Sequence, residues 1–122
     1  MPRGFTLIEL LVVMAIIAVL LTIAVPRYHQ SVERAKEAVL KEDLAQMREA
    51  IDKYYADRGQ YPETIGEIAE LKYLRSIPKD PITDSSSTWL VVAPAETERG
   101  RVYDIRSGAP GTARDGSAYA SW

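Results

Sequence analysis

The sequence predicts an α+β chain: one long N-terminal helix, made of a membrane half and an amphipathic half, with a small antiparallel β-sheet packed on the second half. Three observations lead there. Phe5 to Val25 is an almost unbroken apolar run, apolar residues then recur at steps of three and four from Tyr28 to Asp57, and two short β-rich segments lie beyond, set off by turn residues.

A chain of 122 residues with 47% hydrophobic and 26% charged side chains forms one small domain with a modest core, which excludes a large two-domain catalyst. A net charge of -2 gives no basic footprint for nucleic acid. No cysteine is present, so a disulfide framework, a thiolate metal site and a cysteine nucleophile are all excluded.

In the stretch FTLIELLVVMAIIAVLLTIAV, from Phe5 to Val25, Glu9 is the sole charge, and Thr6 and Thr22 are the other polar side chains. As a helix it reaches about 31 Å, the hydrocarbon thickness of a bilayer. A cleaved secretory signal fits poorly, because the run is long and passes into Pro26, Arg27 and a charged helix with no small-residue cleavage site. Arg3 favours a cytoplasmic N-terminus, while Arg27 and Arg34 weaken that bias.

A plain anchor does not account for Glu9. A carboxylate deep in a spanning helix costs on the order of 2.5–3.5 kcal/mol, so such a residue usually has a partner and a task. The bland alternative is that Glu9, only four residues past Phe5, lies at headgroup level and is tolerated there.

Gly4-Phe5-Thr6-Leu7-Ile8-Glu9, after a short leader with one basic residue and before the apolar run, resembles the type IV pilin and type II secretion pseudopilin superfamily. The resemblance implies that a membrane-embedded prepilin peptidase cuts after the glycine on the cytoplasmic face and methylates the new N-terminal phenylalanine. Carried over to this chain, Gly4–Phe5 is the cleaved bond and Phe5 the methylated terminus. Residues 1–4 are then the leader, 5–25 the transmembrane and assembly helix, and 26–122 a periplasmic pilin-like domain. Cleavage would place an ammonium on Phe5 in the same apolar layer as Glu9 of a neighbouring subunit. Each charge alone is costly, and stranding one of a buried pair costs about 3–5 kcal/mol. The pair would also set axial register between otherwise slippery apolar surfaces.

Pro26 lacks an N–H donor and clashes one turn back, so an interruption of the helix is expected between Thr22 and Pro26. In the superfamily this region melts on packing into the filament; a static kink is the alternative. From Tyr28 to Asp57, Val32, Ala35, Val39, Leu40, Leu44, Met47, Ile51, Tyr54 and Tyr55 make an apolar stripe, and Glu37/Lys41 and Glu49/Lys53 are favourable i,i+4 pairs. Gly59 is the expected left-handed cap and Pro62 blocks continuation. Thr64 to Leu74 reads as a short helix, and Ile77-Pro78-Lys79-Asp80-Pro81 as extended and turned backbone.

Trp89 to Ala93 and Arg101 to Arg106 are the two expected strands, joined by Pro94 to Gly100 as an antiparallel hairpin over the helix. Tyr61-Pro62, Tyr73-Leu74-Arg75, Ile77-Pro78 and Asp80-Pro81 resemble the region after the long helix of major pseudopilins, which shifts the reading from pilus to secretion. The absence of a cysteine pair near the end points the same way. The resemblance also implies calcium in the C-terminal loop, with Asp104, Ser107 and Asp115 as the candidate ligands here. Calcium takes six to eight oxygens, often several carboxylates, and this tail has few; docking of Tyr119 and Trp122 is the alternative anchor.

No enzyme constellation stands out. His29, the sole histidine, follows the membrane run with no base or triad around it. The resemblance therefore implies a structural subunit: a major pseudopilin whose homopolymer is a periplasmic pseudopilus, built from the inner membrane by an assembly platform and its ATPase, with minor pseudopilins as partners. A type IV or competence pilin is the nearer alternative, and a signal-anchored periplasmic enzyme the more distant one.

Overall fold

A computed structural model describes residues 3–122. The chain groups into two units, one up to Arg34 and one from Ala35 onward. Its elements are α1 (Leu7–Arg58), α2 (Ile65–Glu70), β1 (Leu90–Val92) and β2 (Asp104–Arg106), with single 3-10 turns at Thr97–Arg99 and Tyr119–Ser121.

The first unit is the apolar half of α1. Leucines, valines and isoleucines from Leu7 to Val25 are exposed on all sides, and the helix is long and apolar enough to cross a membrane. A helix that is apolar all round suits an apolar surrounding such as lipid.

The second unit is built on the amphipathic half of α1. Leu40, Leu44, Met47 and Ile51 follow one another at steps of three and four and are buried with Ile68 of α2, Trp89, Val102 and Ile105. Each such side chain contributes about 1.5–3 kcal/mol by leaving water. Val39 does not join them and is 49% exposed, whereas Ala50 is buried. One residue advances the helix face by about 100°, so with Leu40, Leu44, Met47 and Ile51 filling the inward row, Val39 turns away.

α1 stops where expected. Gly59 takes φ +71° and its N–H bonds to Tyr55 O at 2.8 Å. α2 is shorter than its sequence pattern, ending at Glu70 rather than reaching Leu74. Lys72 swings to φ +66°, and the N–H groups of Tyr73 and Leu74 both return to Ile68 O at 3.0 and 3.2 Å. Wrapping back in this way carries Tyr73 and Leu74 onto the core.

The two strands pair antiparallel with Leu90 opposite Arg106, Val91 opposite Ile105 and Val92 opposite Asp104. Both are shorter than predicted. The reason is competition for backbone partners: Arg101 and Val102 direct their N–H groups to Pro62 O at 3.2 and 2.9 Å instead of to β1. Gly100 makes this approach possible, for it sits at φ +108° and a Cβ there would lie 2.2 Å from Tyr61 O. Gly108 plays the same part on the other side, where a Cβ would fall 1.9 Å from Thr88 O.

Candidate functional site

The N-terminal end of α1 is closed by its own side chains. Glu9 N donates to Thr6 Oγ1 at 3.1 Å, and Thr6 N donates to Glu9 Oε2 at 3.0 Å. This reciprocal pair is a capping box, which satisfies two of the amides that a helix start leaves without partners. Leu10 N then bonds to Thr6 O at 3.2 Å and the helix proceeds. The Glu9 carboxylate therefore points back toward the chain start, where the positive end of the helix dipole also favours it. Thr6 had drawn no role in the sequence beyond its polarity, although the T-x-x-E spacing of Thr6-Leu7-Ile8-Glu9 was the available signal.

Gly4 and Phe5 stand clear of the fold. Phe5 is 90% exposed, and a Cβ built on Gly4 would meet nothing within 4 Å. No turn, positive φ or close approach of this chain requires glycine at position 4. Met1 and Pro2 of the expected leader lie outside the described residues.

Pro26 lies inside α1, and the lone chain shows no local melting there, for the helix is continuous across it. A missing N–H removes one bond to the turn before, and the bonds on either side carry the helix through. In that turn Thr22 Oγ1 donates to Val19 O at 2.6 Å.

The three candidate calcium ligands are each committed elsewhere. Asp104 Oδ1 accepts from Arg48 Nε at 2.8 Å. Ser107 Oγ, fully buried, donates to Asp80 Oδ2 at 2.6 Å and accepts from Ala109 N at 3.1 Å. Asp115 Oδ1 accepts the Ser117 hydroxyl at 2.6 Å and the Ser117 amide at 2.9 Å, bonds that hold its carboxyl below the usual range. A carboxylate already neutralised by a guanidinium, a hydroxyl donating inside the core and an aspartate closing its own turn do not fit one calcium shell. Among the described residues no group of three His, Asp or Glu side chains is placed to hold a metal ion.

Asp80 went unnoticed as a structural centre. It is fully buried; Oδ1 accepts from the amides of Ile82 at 2.8 Å and Thr83 at 3.4 Å, while Oδ2 takes the Ser107 hydroxyl. A buried carboxylate persists only when its acceptor sites are met in this way. His29 makes an edge contact with Tyr28 at 5.9 Å.

A family model described as the prokaryotic N-terminal methylation motif matches residues 2–25. A fimbrial protein, EcpC, of Eikenella corrodens is 30% identical over 94% of this chain and 78% of its own length. The type II secretion system core protein G of Klebsiella pneumoniae is 32% identical over 65% of this chain and 68% of its own. The type IV major pilin protein PilE1 of Neisseria gonorrhoeae is 41% identical, over 52% of this chain and 38% of its own. No solved structure matches the chain.

Proposed function

We propose, because this chain belongs to the type IV pilin and type II secretion pseudopilin superfamily, that it is the repeating structural subunit of a type II secretion pseudopilus. The observation that carries the reading is the N-terminal arrangement: a glycine that the chain's own fold does not need, an exposed phenylalanine after it, and a carboxylate held at the start of an uncovered apolar helix. A glycine without an internal reason has an external one, and a peptidase that must admit an extended backbone at the cleaved bond supplies it.

In this reading prepilin peptidase cuts Gly4–Phe5 and methylates Phe5. The helix holds the subunit in the inner membrane with the second unit in the periplasm. An assembly platform with its ATPase then adds subunits at the base of the fibre, minor pseudopilins being its other members. The Phe5 ammonium of one subunit meets the Glu9 carboxylate of another, and two charges that are each expensive in an apolar layer neutralise one another there. Pro26 marks the place where packed subunits lose helix and lengthen.

The similarity to the Klebsiella core protein G over both lengths supports the secretion assignment, as do Tyr61-Pro62, Ile77-Pro78 and Asp80-Pro81. A type IV pilin is the second reading, favoured by the match to the Eikenella fimbrial protein along nearly the whole chain. Intact mass from the native membrane, with and without prepilin peptidase, tests the common part: loss of residues 1–4 plus one methyl is expected only with the enzyme. Deletion of the gene separates the two readings, since loss of exoprotein release with normal surface fibres supports secretion, and the reverse supports a pilus.

A further inference from the structure

The residue that most tightly organises the end of the chain is Arg48, on the inward edge of α1. Its Nε donates to Asp104 Oδ1 at 2.8 Å, and one terminal nitrogen donates to Ile105 O at 2.9 Å and to Trp122 O at 2.6 Å. One planar cation thus gathers a carboxylate and two main-chain oxygens from β2 and from the last turn. The guanidinium presents five donors in a fixed fork, so three oxygens around it are held in direction as well as distance. Arg48 and Asp104 are 38% and 29% exposed, so geometry rather than deep burial is what makes the cluster effective.

Everything around this cation closes the same segment. Arg106 donates to Ser121 O at 2.9 Å. Trp122 Nε1 donates to Ser117 Oγ at 2.7 Å, and Lys41 Nζ lies 4.8 Å from the centre of the Trp122 ring. On α1, Glu37 Oε1 accepts from Arg114 N at 2.9 Å and from Tyr119 OH at 3.1 Å. Side chains of α1 thus gather Asp104 and the Ile105 and Trp122 oxygens, and hold Arg114 and Tyr119 through Glu37.

We propose that the Arg48 guanidinium is the resident cation of this fold: it closes residues 104–122 onto α1, so that the second unit folds and keeps its last turn without a divalent ion. Of the three candidate calcium ligands Arg48 takes Asp104 itself, while Ser107 and Asp115 are held by Asp80 and Ser117. The inference holds whichever fibre the subunit builds.

Full-length chain in detergent micelles, compared in chelator and in millimolar calcium by thermal unfolding and amide hydrogen exchange, tests this directly. The expected result is the same Tm and the same protection of residues 104–122 in both. A fall in Tm or a loss of protection on chelation would overturn it. Arg48→Met provides the second arm, with protection of residues 117–122 expected to drop about tenfold or more, as for loss of a charge-assisted bond of ordinary strength. Unchanged protection in Arg48→Met would also overturn the proposal. Should that variant fail to fold, the chelation comparison on the unaltered chain decides alone.

Discussion

Thr6 and Glu9 hold each other's backbone amides across the first turn of α1, at 3.1 and 3.0 Å, so the carboxylate that a membrane helix would be expected to avoid is part of what starts the helix. Glu9 thus has a partner within its own chain before any neighbour arrives. Two roles meet in one side chain under the proposed assembly: an acceptor that closes the helix, as observed, and a charge for a second subunit to recognise.

Those roles separate by substitution. Glu9→Gln keeps an oxygen for the Thr6 amide but removes the charge, whereas Glu9→Ala removes both. Both variants are expected to insert and to be cleaved normally, and neither to build fibres, as judged by peptidase processing and by electron microscopy of sheared material. Normal fibres from Glu9→Gln would sink the charge-pair role. Thr6→Ala should weaken the cap by about 0.5–2 kcal/mol, read as faster amide exchange at Glu9 and Leu10.

Gly4→Leu is expected to leave the fold untouched, since a side chain there meets nothing of this chain. Its effect should fall wholly on processing: intact mass would show the leader retained, while circular dichroism and Tm stay at their original values. Efficient cleavage of this variant would mean that glycine is not a peptidase requirement.

The glycines of the second unit should behave differently from one another. At Gly108 a Cβ would press on the Thr88 carbonyl from 1.9 Å, and Gly108→Ala is expected to cost about 1–3 kcal/mol as an overpacked position. At Gly116 φ is +89° with open space around it, so Gly116→Ala should cost only the backbone penalty of about 1–2 kcal/mol. Calorimetry of the detergent-solubilised chain would check both, and a Gly108→Ala chain as stable as the original would contradict the close approach.

Asp43 is the acid whose folded environment works against its charge. Partial burial first, then the nearby Asp80 and Glu42 carboxylates, raise its pKa above the ordinary 3.8. A raised folded pKa means that stability from its protonation is fully present below the unfolded value and is lost as pH rises through the folded one. Asp43→Asn is therefore expected to raise Tm at neutral pH, with the gain over the original chain vanishing in the acid range below the unfolded carboxylate pKa. A variant less stable than the original at neutral pH would show that Asp43 makes a favourable contact instead.

Leu44→Ala and Val39→Ala test the inward row of α1. The first empties a fully buried site and should cost about 2–5 kcal/mol, while the second trims an exposed side chain and should change stability by less than about 0.5 kcal/mol. Urea unfolding of the two variants compares them, and similar midpoints would contradict the assigned face.

The long helix, its apolar half, the Gly59 stop and the antiparallel pairing of two late strands were all legible in the residues, because each depends on neighbours within a few positions: an apolar run, a three-and-four repeat, a glycine before a proline, alternating β-formers. The Gly4, Phe5 and Glu9 group likewise lies within six consecutive residues. What only the tertiary structure decided were matters of competition between distant partners. Val39 and Ala50 exchanged places with respect to the stripe because the core selects one row of a helix. The strands shortened because Arg101 and Val102 found the Pro62 carbonyl. Arg48 lies outside the apolar stripe that the sequence shows, and Asp80 in the turned stretch before Pro81. The closest partners of each lie far along the chain, Asp104 and Trp122 for Arg48 and Ser107 for Asp80, where no local spacing records them. Short-range backbone preferences are written residue by residue, whereas the choice of which cation closes the last turn belongs to the packed chain.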